Sequence, residues 1–194
     1  MSCRASRAAR VPQKQAHWPA RRIPPAPLGH GRRPANLTES GHDVTAPILV
    51  FPHHGGRSGS GNVSDFAREL CNLVHPKTVV FSIGRGEHGT PQPDVVETIR
   101  QVIPDIRIAC TQLSAHCTTV LPASLPTHLA NKYARGREYG KCCAGTIVID
   151  FLPKEVTVTP GTAQHQEYIS QFRATALCMR PITVQPKNGK RDVL

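Results

Sequence analysis

The chain has 194 residues, of which 39% are hydrophobic and only 5% aromatic, so a core must be built mainly from aliphatic side chains. Lys and Arg number 24 against 13 acidic residues, which gives a net charge of +11. No apolar run approaches the roughly 20 residues that a membrane-spanning helix needs. No short period recurs, so collagen, coiled coils and solenoid repeats are excluded. One ordinary domain with a tail is expected.

Much of the excess charge lies at the amino terminus. Residues 1–38 carry eight basic side chains, six prolines and no acid. Because proline removes backbone donors and like charges repel, this composition predicts a disordered basic leader over residues 1–44. The alternatives are an arm that attracts phosphates, or a mis-set start or reading frame. No apolar stretch marks an export signal, so reduced thiols and a cytoplasmic location are expected.

Strands and helices alternate in the pattern that follows the leader. Strands are expected at residues 48–51, 78–84 and 106–109, where short runs are apolar or β-branched, and helices at 63–74 and 93–103. Asn62 or Ser64 can cap the first helix, and Pro76 forbids its continuation. This strand–helix–strand–helix–strand order predicts an α/β layer in which helices cover a sheet.

The second half of the chain is less regular. Residues 110–143 are interpreted as an irregular, cysteine-containing insertion, followed by a strand at 145–152 that can form a hairpin with residues 155–159. A short helix is expected at 165–172. Residues 179–194 are polar and predict a flexible tail.

The strongest candidate for chemistry is a pair of histidines. His53 and His54 follow the first predicted strand directly and open the glycine-rich segment HHGGRSGSG. Adjacent histidines alone are a weak signal, but a strand end is a rigid mount. Imidazoles held there can bind a metal or transfer a proton.

The segments HHGGRSGSG, TVVFSIG, GEHGTPQPDVVETIR and RIACT, in this order and spacing, resemble the C-terminal half of a metallo-β-lactamase-fold hydrolase of the ComEC-type DNA-uptake family. The resemblance covers about residues 46–111 and extends toward Leu152. It implies half of a four-layer αββα sandwich, here residues 45–178. It also implies one or two ions, Zn or Mn, whose bound water attacks a phosphodiester or another ester, with His53 and His54 as metal ligands or as groups that position them.

The chain departs from that family at the metal site. The H-x-H-x-D-H ligand motif is absent, and the carboxylates ahead of the first strand, Asp43 and Glu39, do not have the sequence setting of the family's aspartate ligand. Thr90 stands where the family has a histidine, and His88, two residues earlier, is the substitute candidate. Tight zinc binding usually takes three or four ligands. A truncated half-site is therefore expected, and the chain alone should be weakly active or inactive. Its exposed sheet needs to be covered by a missing N-terminal half or by self-association. Whether the chain is an enzyme stays open.

The cysteines form a second candidate cluster. Five of the seven bracket the irregular region, namely Cys110, Cys117, Cys142, Cys143 and Cys178. A fold that brings them together could hold a structural zinc, although none shows C-x-x-C spacing. Buried reduced thiols and disulfides are the alternatives.

A third candidate is the basic stretch at residues 132–141. Its cations Lys132, Arg135, Arg137 and Lys141 flank two tyrosines, which could neutralise phosphates and stack on bases. A solvated loop is the alternative. Two functions thus stay open: a metal-dependent hydrolase, and a non-catalytic nucleic-acid-binding or zinc-stabilised module on the same scaffold.

Overall fold

The computed structural model describes residues 43–57, 61–86, 88–123 and 125–182. The predicted leader, apart from residues 43–44, and the predicted tail beyond residue 182 lie outside these ranges. In chain order the described elements are β1 (Ile48–Val50), α1 (Val63–Val74), β2 (Thr78–Phe81), α2 (Pro93–Val102), β3 (Arg107–Cys110), β4 (Val148–Leu152), β5 (Glu155–Thr159) and α3 (Thr162–Ser170). The predicted mixed α/β class is confirmed.

Strands β1, β2 and β3 form a parallel sheet in chain order. Leu49, Val79 and Ile108 align across the three strands, and all three contribute to the main hydrophobic core. Parallel neighbours require a crossover, which α1 provides between β1 and β2 and α2 between β2 and β3. The three strands therefore end at the same edge of the sheet.

Helix α1 begins and ends where the sequence predicts. The Asn62 side chain accepts a hydrogen bond from the Ser64 N–H at 3.0 Å, and His75 ends the helix in the left-handed conformation. Ala67 and Cys71 are fully buried on the face that packs against α2 and the sheet. The apolar periodicity of this segment thus supplies one wall of the core.

Strands β4 and β5 form the predicted antiparallel hairpin. The cross-strand pairs Ile149–Val158 and Phe151–Val156 lie on one face, and Phe151 is 77% exposed. Val50, in the edge strand β1, is 57% exposed. Apolar side chains are therefore exposed in both sheets. Among the described residues, no helix has both the length and the apolarity to span a bilayer.

Candidate functional site

An open cleft of about 1180 Å³ lies beyond the carboxyl ends of the parallel strands. Its walls come from the loop after β1, the loop after β2 and the segment 133–141. The edge where parallel strands end is the usual ligand site of open α/β sheets, because loops converge there without obstruction by the sheet. The cleft brings the histidine pair and part of the basic stretch to one place.

The histidine pair lies in a tight left-handed turn. His53 and His54 have φ angles of 49° and 57°, and Gly55 follows at 74°. A Cβ on Gly55 would lie 2.6 Å from the Phe81 ring and 2.7 Å from Pro91, so only glycine fits there. Left-handed backbone is costly for residues with a side chain and persists only where the surroundings impose it. The packing of Gly55 thus holds the main-chain turn that carries both histidines.

The imidazole of His54 is oriented by a main-chain group. Its Nδ1 donates a hydrogen bond to the carbonyl oxygen of Ser82, just beyond β2. A carbonyl only accepts, so Nδ1 carries the hydrogen, and Nε2 of the neutral ring keeps its lone pair. This tautomer can bind a cation or accept a proton at Nε2.

The segment 133–141 forms the opposite wall. Tyr133 and Tyr139 are 84% and 65% exposed, and the Lys141 Nζ lies 5.4 Å from the Tyr139 ring centroid. Arg135 and Lys141 line the cleft. Two of the four predicted nucleic-acid contacts therefore lie at this site.

The other two predicted cations do not line it. Lys132 is exposed outside the cleft, and Arg137 donates to the carbonyl oxygen of Ala130 at 3.1 Å. The Arg137 side chain thus links two parts of the loop instead of lining the cleft.

A buried glutamine connects the two walls. The Gln112 Nε2 donates to the Arg135 carbonyl oxygen at 2.8 Å, and its Oε1 accepts from the Arg85 N–H at 2.6 Å. The Arg85 guanidinium donates to the carbonyl oxygens of Leu113, Ser114, Thr118 and Thr119. Sequence reasoning missed both residues, because a lone glutamine after a strand and a lone arginine in a loop carry no pattern.

The cleft is strongly cationic. Among its described lining residues, Glu138 is the only acid, against the four cations Arg57, Arg85, Arg135 and Lys141. His53, His54 and His88 line the same cleft. A cavity bordered by one sign of charge concentrates ligands of the opposite sign. An anion is therefore the ligand class that this cleft favours.

The three predicted metal residues share the cleft but do not form a complete ligand group. In the described ranges, no three His, Cys, Asp or Glu side chains are arranged to hold an ion. Asp43 does not line the cleft, and its carboxylate accepts from the Thr45 N–H at 2.9 Å, which lowers its pKa. The described residues alone do not fit a Zn or Mn site of the usual three or four ligands, and the metal stays a prediction.

Four of the five clustered cysteines line one small cavity in the core. Cys110, Cys117, Cys143 and Cys178 surround a space of about 10 Å³, enough for about one water molecule. Cys142 lies apart and packs against Leu129 and Ala134. Four of the five cysteines thus line one cavity, although no three of them are arranged to hold an ion in the described ranges, and the zinc stays a prediction.

These thiols are free and protonated. Burial raises the pKa of Cys178 to about 12 and holds that of Cys110 and Cys143 well above the usual range. The Cys143 Sγ lies 3.3 Å from the His165 Nε2, which is buried, and burial lowers the pKa of His165 to about 3. The pair is therefore neutral, and in this form it is a packing contact of the core.

Comparison with protein-family models, curated proteins and solved structures finds no match for this chain. The assignment of function thus depends on the geometry of the cleft.

Proposed function

We propose that the protein binds a single strand of nucleic acid in the cleft at the carboxyl edge of the parallel sheet. One observation carries this proposal. The segment 133–141, which bears tyrosines and cations, forms one wall of the cleft, and the histidine turn forms the other. The cleft therefore offers cations for the phosphates of such a strand and tyrosines for its bases.

The sugar–phosphate backbone of the nucleic-acid strand would contact cations and glycines of the cleft. Arg57, Arg135 and Lys141 can neutralise phosphates, and each neutralised phosphate releases condensed counterions, which drives binding. Gly84 and Gly86 line the cleft, and without Cβ atoms they let a phosphate approach the main chain closely.

The bases meet the two exposed tyrosines. Stacking of a base on an aromatic side chain is worth ~1–3 kcal/mol and tolerates any sequence. Because Tyr133 and Tyr139 are exposed rather than packed in the core, the Tyr133 ring and the face of the Tyr139 ring away from Lys141 can stack with unpaired bases. A duplex, whose bases are already stacked, gains less from them.

The scaffold itself is proposed to descend from the metallo-β-lactamase-like family that the sequence resembles. Hydrolysis by metal-activated water remains the implication of that resemblance. The described residues do not provide the ligands for it, so strand binding is the function that the geometry supports best.

The test is fluorescence anisotropy with labelled oligothymidylate over a series of salt concentrations. Arg135→Gln and Lys141→Gln are each expected to weaken binding and to lower the slope of log K against log salt by about 0.7, the value for one phosphate contact on a single strand. Lys154→Gln, in the turn of the hairpin, removes the same charge outside the cleft and serves as control. Equal effects of all three variants would show that the binding is diffuse, and would refute the proposal.

A further inference from the structure

We infer that the cleft cleaves bound RNA without a metal ion, by attack of a ribose 2′-hydroxyl on the adjacent phosphate. This inference rests on the proposed strand binding and adds a reaction to it. The cleft combines an oriented imidazole, a second imidazole on another loop and several cations, which are the groups that this reaction needs.

The reaction balances without a co-reactant. The O2′–P bond forms and the P–O5′ bond breaks, so the products are a 2′,3′-cyclic phosphate and a 5′-hydroxyl. A general base takes the proton from O2′, and a general acid gives a proton to the departing O5′. Cations stabilise the additional negative charge on the phosphoryl oxygens in the transition state.

His54 is suited to the role of base. Its Nδ1–H is held by the Ser82 carbonyl, so the lone pair on Nε2 is the site that accepts a proton. The same hydrogen bond stabilises the imidazolium that forms, because Nδ1 keeps its hydrogen and its acceptor. Gly55, packed against Phe81 and Pro91, holds the turn that presents the ring.

His88 is suited to the role of acid. It lines the cleft from the loop after β2, whereas His54 stands on the loop after β1. The two loops are joined where the Gln92 N–H donates to the Gly55 carbonyl oxygen at 2.8 Å. Base and acid thus come from two hydrogen-bonded loops that line one cleft.

Arg57 and Lys141 are the cations that would stabilise the negative charge of the transition state. Both line the cleft, and Glu138 is the only carboxylate among the described lining residues. The four carbonyl bonds of Arg85 hold that guanidinium in the loop, so its charge adds to the field without a direct contact.

The test uses the full chain and a DNA oligonucleotide that contains a single ribonucleotide, in parallel reactions with and without a chelator. Cleavage is expected only on the 3′ side of the ribose, with a cyclic phosphate terminus identified by mass spectrometry. His54→Ala and His88→Ala should each lower the single-turnover rate ~100-fold or more. His75→Asn, at the opposite edge of the sheet, is the control for contaminating ribonuclease and should retain the rate.

The outcomes separate the two proposals. Oligonucleotide binding without cleavage, or cleavage that His54→Ala does not slow, would overturn the inference and leave strand binding intact. Cleavage of all-DNA strands, or cleavage abolished by the chelator, would overturn it in favour of metal-dependent hydrolysis. If the wild-type protein did not bind the oligonucleotide at all, the proposed function itself would be refuted.

Discussion

The side chain of Gln112 donates to the carbonyl oxygen of Arg135 at 2.8 Å and thereby joins the two walls of the cleft. The same amide accepts from the Arg85 N–H at 2.6 Å, and Gln112 is only 8% exposed. A buried amide that makes both bonds fixes the separation of the segments that it connects. Gln112 therefore couples core stability to the width of the binding site.

Replacement of Gln112 by Glu tests this coupling. The carboxylate can still accept from the Arg85 N–H but cannot donate to the Arg135 carbonyl oxygen, which keeps only the weak Cys142 thiol donor at 3.8 Å. We expect a loss of ~1–3 kcal/mol in the free energy of unfolding, measured by urea denaturation, together with weaker oligothymidylate binding. Gln101→Glu, at an exposed position on α2 where the amide donates to Glu97 at 3.5 Å, should lower stability by less than about 0.5 kcal/mol and leave binding unchanged. Unchanged stability and binding in Gln112→Glu would show that the walls are held by other contacts.

The turn that presents the histidines depends on Gly55. A Cβ there would meet the Phe81 ring and Pro91 at less than 3 Å, and the φ of 74° is unfavourable for alanine. We expect Gly55→Ala to lower the free energy of unfolding by ~2–4 kcal/mol, from overpacking and left-handed strain together. Gly61→Ala is the matched control, because a Cβ at Gly61 would have no heavy atom within 4 Å. Similar thermal midpoints for the two variants would contradict the packing described for the turn.

The α/β class and most of the helices and strands were predictable, because a local pattern specifies each of these elements. The apolar steps of Val63–Val74 and the β-branched run of Thr78–Phe81 each specify an element without reference to the rest of the chain. Helix α3 was placed three residues late, since the prediction began it at His165 rather than at Thr162. His165 is buried against Cys143, a contact that no pattern in the sequence indicates.

The site was only half predictable. The histidine pair at a strand end can be recognised from the local sequence. The position of residues 133–141 beside the same cleft depends instead on main-chain hydrogen bonds between residues far apart in the sequence. The Leu113 N–H donates to the Lys141 carbonyl oxygen at 2.7 Å, and the Ala144 N–H donates to the Cys110 carbonyl oxygen at 2.8 Å. Any residue type can form such bonds, so they leave no pattern in the sequence.

The buried His165 should make stability fall in acid. Its pKa is about 3 in the folded chain, against an ordinary value near 6.5 when unfolded, so below about pH 6.5 the unfolded state binds a proton that the folded state does not. We expect this residue to remove about 2 kcal/mol of stability between about pH 7.5 and about pH 5. His165→Gln should lose that part of the slope in urea titrations, while His75→Asn keeps it. An unaltered slope in His165→Gln would mean that His165 is protonated in the folded protein.

The core thiols should resist modification. Burial raises the pKa of Cys71 to about 11 and of Cys178 to about 12, and the thiolate is the reactive form. In a Cys3→Ser variant, which leaves the six described cysteines, we expect reaction with a disulfide reagent at about pH 8 to be ~100-fold slower or more in the folded chain than in urea. Rapid reaction of several thiols under native conditions would show that the four-cysteine cavity opens in solution.

The tyrosines offer a test of stacking that is independent of charge. Tyr133 is 84% exposed, so Tyr133→Leu should leave the thermal midpoint unchanged within about 1 °C, because little packing is lost. Oligothymidylate affinity should fall by ~1–3 kcal/mol as the stacked base loses its partner, with the salt slope unaltered since no phosphate contact is removed. Tyr133→Phe, which keeps the ring, should restore most of the affinity. If Tyr133→Phe binds as weakly as Tyr133→Leu, the hydroxyl rather than the ring face is the contact, and the strand does not stack on this wall.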